Sequence, residues 1–165
     1  MIISRLGGIT SDNDSSLPQA ENIEVLFEAD DDISVGMIVG HDTGSTTGTL
    51  VVPVVAGHQD DHRFVGIYEG KGGSGSATTT ADCSGNDAVD GDVILVTAYG
   101  TALALATNEG GAWVDGDPCT PSLTTAGEVC GGSSTLTAGL CSPLVALESY
   151  NDVGPEAKTC FVKCL

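Results

Sequence analysis

Positive charge is what this chain has least of. Five basic residues (Arg5, Arg63, Lys71, Lys158 and Lys163) stand against 23 Asp and Glu, giving a net charge of −18 over 165 residues. Sequence-independent binding to DNA or RNA depends on Lys and Arg meeting phosphates, and docking on anionic lipid needs the same residues. The sequence therefore predicts no nucleic-acid partner and no membrane partner. Aromatics are nearly as scarce, with one Trp, three Tyr and three Phe, so a core has to be built from Val, Ile, Leu and Ala. No apolar run approaches the roughly 18 residues of a transmembrane helix. The opening MIISRLGGITSDND lacks the apolar stretch of a secretory signal, and none is expected.

What is present argues for a folded chain. Leu, Ile, Val and Phe supply 40 of the 165 residues, above the roughly one-fifth below which a charged chain stays unfolded. The length fits one domain with a real core.

Residues 1–22 read as an extended N-terminal arm: Ile2 and Ile3 are apolar, Ser11–Ser16 is polar, and Pro18 follows. The rest, 23–165, reads as one β domain. Apolar residues alternate with polar ones in Asn22–Glu28 and again in Ile33–Val39, the period of a strand with one buried face. Thr49–Ala56 (TLVVPVVA) is apolar but contains Pro53, which cannot donate to a ladder, so an edge or bulged strand is expected there. Arg63–Tyr68 is a further strand. Gly91–Tyr99 and Thr101–Thr107 read as a hairpin turning at Gly100, followed by turns at Asn108–Gly111 and Asp115–Pro118 around a short strand at Ala112–Val114. Leu144–Tyr150 and Thr159–Cys164 close the chain. About nine short strands separated by Gly, Asp and Asn imply an antiparallel barrel or sandwich. No internal repeat of fixed period is visible.

The six cysteines, Cys83, Cys119, Cys130, Cys141, Cys160 and Cys164, all lie in the second half. Their spacing does not match the close pairs of a zinc site. Cys160 and Cys164 would lie roughly 13 Å apart on one strand, too far to bond to each other. At least one disulfide, from one of these two to one of the other four, is expected, with the pairing open; free, buried cysteines are the alternative.

Several motifs match catalytic or binding patterns by letter. Asp42-Thr43-Gly44-Ser45 spells the D-T-G-S of aspartic proteases, whose paired aspartates activate water, but a polar turn accounts for it as well. His58 and His62 with Asp60 and Asp61 could gather on a metal only if helical. Gly70, Gly72 and Gly75 spell G-x-G-x-x-G without the helix that a dinucleotide site requires. The acidic clusters at 30–32, 87–92 and 115–117 do not follow the ligand register of a calcium loop. No metal ligand, cofactor or catalytic residue is assigned, and no enzyme is expected.

One longer arrangement is more specific. FVGIYEG (64–70) leads through a loop to DGDVILV (90–96), then a strand at 101–106, then Gly116-Asp117-Pro118 and a return strand SPLVALESY (142–150). This order resembles the small capsid decoration, or cement, proteins of tailed phages, over roughly residues 33–150. The cysteines and the C-terminal KTCFVKCL lie outside that pattern. The resemblance implies a compact β-barrel or sandwich on the outer surface of a virion, clamping neighbouring major capsid subunits. Copies of itself would meet there as dimers or trimers. Candidate capsid contacts are Ile2, Ile3, Arg5 and Leu6 of the arm, Pro53 on its edge strand, and the loops at 43–49 and 70–81. The alternative is a β-sandwich fibre or adhesin module holding carbohydrate or calcium.

Overall fold

The computed structural model describes residues 22–54, 64–72, 86–131, 144–151 and 154–163. The fold is all-β. Among the described residues there are nine strands and no helix: β1 (Ile23–Ala29), β2 (Ile38–His41), β3 (Leu50–Pro53), β4 (Phe64–Lys71), β5 (Val93–Ala106), β6 (Pro118–Pro121), β7 (Val129–Gly131), β8 (Leu144–Ala146) and β9 (Glu156–Lys163). They form one mixed sheet in the order β1-β3-β2-β4-β5-β7-β6-β8-β9, with further pairings of β1 with β5 and of β5 with β9. Most pairs are antiparallel, as expected; β1–β3 and β5–β7 are parallel.

The extra pairings close two circuits of strands. One runs β1-β3-β2-β4-β5 and returns to β1; the other runs β5-β7-β6-β8-β9 and returns to β5. The 14-residue β5 belongs to both. Its first part, Val93–Thr97, pairs with β1 and β4; its second part pairs with β9, and Ala106 with β7.

The two circuits have the same connectivity and the same register. Ala29 pairs with Val51 as Ala106 pairs with Val129. Val39 pairs with Gly66 as Cys119 pairs with Leu144. Val96 pairs with Tyr68 and Val25 as Cys160 pairs with Ala146 and Ala102. The connecting turns match too. The bridge Ile33–Ala88 is answered by Trp113–Tyr150, and Gly36 and Gly116 both sit at φ +90°. The turn bonds Met37 N–H to Ser34 O and Asp117 N–H to Val114 O are both 3.1 Å. The fold is thus one five-stranded arrangement used twice, with the last strand of the first copy continuing as the first strand of the second.

No fixed period announces this in the sequence, because the spacing drifts. It is 77 residues from Ala29 to Ala106, 80 from Val39 to Cys119, 78 from Val51 to Val129 and 64 from Val96 to Cys160.

The structure corrects three local expectations. Gly100 is not a hairpin turn: β5 runs straight through it, with Gly100 opposite Val162. Ile33–Val39 is not one strand, because the Gly36 turn interrupts it before β2 starts at Ile38. β3 is not an edge strand; it lies between β1 and β2. Proline is tolerated there because β1 pairs only with Leu50 and Val51, so no bond of that ladder needs the N–H that Pro53 lacks.

Two interlocked cores fill the circuits. Ile33, Val39, Val51, Tyr68, Ile94 and Val96 pack in the first, joined by Leu105 from the second half of β5. Trp113, Tyr150, Cys119, Val129, Leu144 and Cys160 pack in the second, joined by Ile38, Val54 and Ile67 from the first circuit. Where the first circuit has Val25, Phe27 and Tyr68, the second has Ala102, Ala104 and Ala146, beside the Trp113–Tyr150 ring pair, whose centroids are 4.6 Å apart.

Candidate contact surface

The letter-matched motifs resolve into turn chemistry. Asp42 lies just after β2, and its Oδ1 accepts the Gly44 N–H at 3.0 Å while its carbonyl accepts the Ser45 N–H at 3.3 Å. The corresponding loop after β6 is built alike, with Ser122 Oγ accepting the Thr124 N–H at 3.1 Å. D-T-G-S is therefore a side-chain-capped turn. The acidic clusters do the same work. Asp87 Oδ1 accepts from Val35 N–H at 2.9 Å, Asp92 Oδ2 from Val89 N–H at 3.0 Å, and Asp117 Oδ2 from Val114 N–H at 2.9 Å. Among the described residues no three His, Cys, Asp or Glu side chains gather as a metal site. Gly70 lies near the end of β4 and Gly72 just after it; Gly75, His58 and His62 lie outside the described residues.

Glu109 holds the second capped loop together. Its Oε2 accepts from Ser122 Oγ, from Leu123 N–H at 2.7 Å and from Thr124 N–H and Oγ1 at 3.1 Å each. Burial pushes this carboxyl up, but the converging donors outweigh it and hold it below the usual carboxylate range. Glu128, one residue before β7, is pushed the other way by burial, only partly offset by a hydrogen bond with Thr107.

Of the expected disulfide cysteines, Cys83, Cys141 and Cys164 lie outside the described residues. Cys119, Cys130 and Cys160 are buried thiols, and no disulfide is formed among the described residues. The Cys160 thiol is raised by its hydrogen bond with Cys119 and then by burial; Cys130 is raised by burial. Of the expected capsid contacts, Ile2, Ile3, Arg5 and Leu6 lie outside the described residues. Pro53 is buried in the first circuit, so it offers no surface to a partner.

The structure instead exposes an apolar face that the strand readings missed. Val93, Leu95 and Tyr99 share one side of β5, and Leu26 of β1 stands opposite Leu95. Val93 is 57% exposed, Leu26 41% and Tyr99 39%. Tyr99 meets Phe161 of β9 edge-on, centroids 5.2 Å apart. A polar belt interrupts this face: Lys71 of β4 pairs with Glu24 of β1, and Glu69 of β4 accepts from Thr97 Oγ1 of β5 at 2.7 Å. The signal was present in GDVILVTAY, where both parities of the strand are apolar instead of one. No protein-family model and no curated protein matches the chain.

Proposed function

We propose that this protein is a structural component of a virus particle, binding the outer surface of a capsid shell and tying neighbouring major capsid subunits together. The observation that carries the reading is the exposure of the large apolar side chains Leu26, Val93 and Tyr99 on one face of β1 and β5, since exposed apolar surface rimmed by polar groups marks a contact site. The segments that resemble cement proteins fall on β4, the turn into β5, β5 itself, the turn into β6, and β8. An acidic body keeps crowded copies apart and turns away nucleic acid. The role assigned needs no catalytic group; burial of surface at subunit seams, repeated over a shell, supplies the stabilisation.

The test is co-sedimentation of the purified protein with undecorated shells of its own virus. Saturation at a fixed ratio to the major capsid protein, with a raised shell melting temperature, is expected. Leu26→Ser with Val93→Ser should weaken binding roughly tenfold or more. Absence of binding at every salt concentration overturns the reading. A melting shift on adding calcium or glycans would then favour a fibre or adhesin module.

A further inference from the structure

The repeated framework shows how one circuit packs on another. The first meets the second through its Gly36 turn and through Glu69. Gly36 O accepts Leu105 N–H at 2.8 Å, and Glu69 Oε1 accepts Leu103 N–H at 3.2 Å. Met37 presses on Gly127, where a Cβ would come within 2.8 Å of its side chain, and Ile38 N–H donates to Gly127 O at 2.8 Å. On the receiving side Leu105 enters the first core, with Leu103 and Ala157 packed against it.

Each of these two surfaces has an exposed counterpart. By the register of the repeat, Leu26 answers Leu103, Glu28 answers Leu105 and Val93 answers Ala157. Leu26 and Val93 are exposed on the first circuit. On the second circuit Val114, Gly116, Asp117 and Leu147 answer Ser34, Gly36, Met37 and Glu69. Val114 is 60% exposed and Leu147 38%. Among the described residues, four of the seven exposed large apolar side chains therefore lie on these two counterpart surfaces.

The hydrogen bonds of the internal contact are replaced on both counterparts in a matched way. Glu28 N–H bonds to Thr49 O at 3.0 Å. These two groups answer Leu105 N–H and Gly127 O, so here they satisfy each other. On the docking side Pro118, which lacks an N–H, answers Ile38, and Leu147 answers the hydrogen-bonding Glu69. Both counterparts thus offer apolar side chains where the internal contact uses hydrogen bonds. We propose that a second copy of this chain seats Val114, its Gly116 turn and Leu147 on Leu26 and Val93, repeating head to tail the packing of the first circuit on the second. This rests on the reading of Leu26 and Val93 as a contact face and names its occupant, so that neighbouring copies join on a shell. Two different surfaces meet, which makes the contact heterologous. Glu28 and Asp117 take the places of Leu105 and Met37 in it, so carboxylates approach each other and added salt should strengthen association.

Sedimentation velocity on the full-length protein tests it. In about 1 M salt, where screening acts beyond about 3 Å, a species larger than the monomer should grow with protein concentration, and it should shrink as salt is lowered. Leu26→Asp and Leu147→Asp, both at exposed sites, should each weaken association roughly tenfold or more. An equal mixture of the two variants retains one intact contact and should give dimers and nothing larger. Glu28→Lys should restore association at low salt. Far-UV circular dichroism checks that each variant is folded. The proposal is overturned if the wild type stays monomeric at every salt and protein concentration. It is overturned equally if Leu147→Asp leaves association intact, which would make the contact one between like faces. Shell binding by a chain that never self-associates overturns this inference and leaves the capsid reading standing; self-association without shell binding does the reverse.

Discussion

Asn22 and Thr101, 79 residues apart in the chain, are joined by two hydrogen bonds: Asn22 Nδ2 donates to the Thr101 carbonyl and Oδ1 accepts the Thr101 N–H, both at 2.9 Å. The pair fastens the start of the first circuit to the start of the second. It also explains the residue between them. Gly100 holds φ +113°, and a Cβ there would lie 2.1 Å from Asn22 Oδ1 and 2.9 Å from its Cα. Glycine thus serves here to let another strand's side chain approach the backbone, and not to turn the chain.

Gly100→Ala should therefore destabilise the protein by about 2–5 kcal/mol, from backbone strain and overpacking together. Asn22→Ala should cost roughly 1–3 kcal/mol by leaving both Thr101 backbone groups without a partner. In the Asn22→Ala background the Gly100→Ala penalty should shrink, because the closest clashing atom is gone. Urea midpoints of the four proteins give the coupling; strict additivity would contradict the packing described.

The circuits share β5 and exchange core residues: Leu105 enters the first core, and Ile38, Val54 and Ile67 the second. Neither core is complete without the other half, so unfolding should be one transition. Trp113 is the sole tryptophan and reports the second circuit, buried with its Nε1 donating to Glu148 O at 3.0 Å. Its fluorescence and the far-UV circular dichroism should melt together. Trp113→Ala should cost about 3–5 kcal/mol and lower the stability of both halves. Two separated transitions would show the circuits to be independent.

Stability should respond to pH through Glu109 and Glu128 in opposite senses. The Glu109 carboxyl is lowered in the folded protein, so its contribution is present above the unfolded carboxylate pKa and is lost as pH falls through the folded value. Glu128 is raised, so its contribution is complete below the unfolded value and is lost as pH rises through the folded one. Glu109→Gln should lower the melting temperature at pH 7, with the difference from wild type closing at pH 3. Glu128→Gln should raise it at pH 7, again with the difference closing in acid. A pH-independent effect of Glu109→Gln would show that its four hydrogen bonds do not depend on charge.

Much of this framework can be read from the sequence. Alternation at Val25 and Phe27 marks β1, and the Asp-Gly pairs at 90–91 and 115–116 mark the turns before β5 and β6. Two kinds of information are not local. Gly100 carries a turn signal that the side chain of Asn22 overrides. The repeat is hidden because loop lengths differ and corresponding core residues differ in kind: Val39 answers Cys119, Val96 answers Cys160, Tyr68 answers Ala146. Equal backbone register is met with different side-chain volumes, the Trp113–Tyr150 pair making up what the alanines lack. The apolar contact face was visible in GDVILVTAY only to a reading that weighed both sides of the strand.

The same correspondence predicts what the buried thiols do. Cys119 and Cys160 occupy the positions that Val39 and Val96 fill in the first circuit, where an apolar contact suffices. Exchanging both for valine should therefore cost less than about 1.5 kcal/mol. Serine at Cys160 should cost roughly 1–3 kcal/mol, because it places a more polar hydroxyl in the same core. Reactivity gives a second readout, since the thiolate is the nucleophile and Cys160 is pushed up by Cys119 and by burial. In the native protein Cys130 and Cys160 should resist alkylation at pH 8, and should label rapidly once urea opens the core. Peptide mapping by mass spectrometry identifies each site. Fast native labelling of Cys160, or valine proving worse than serine, would contradict a packing role for these cysteines.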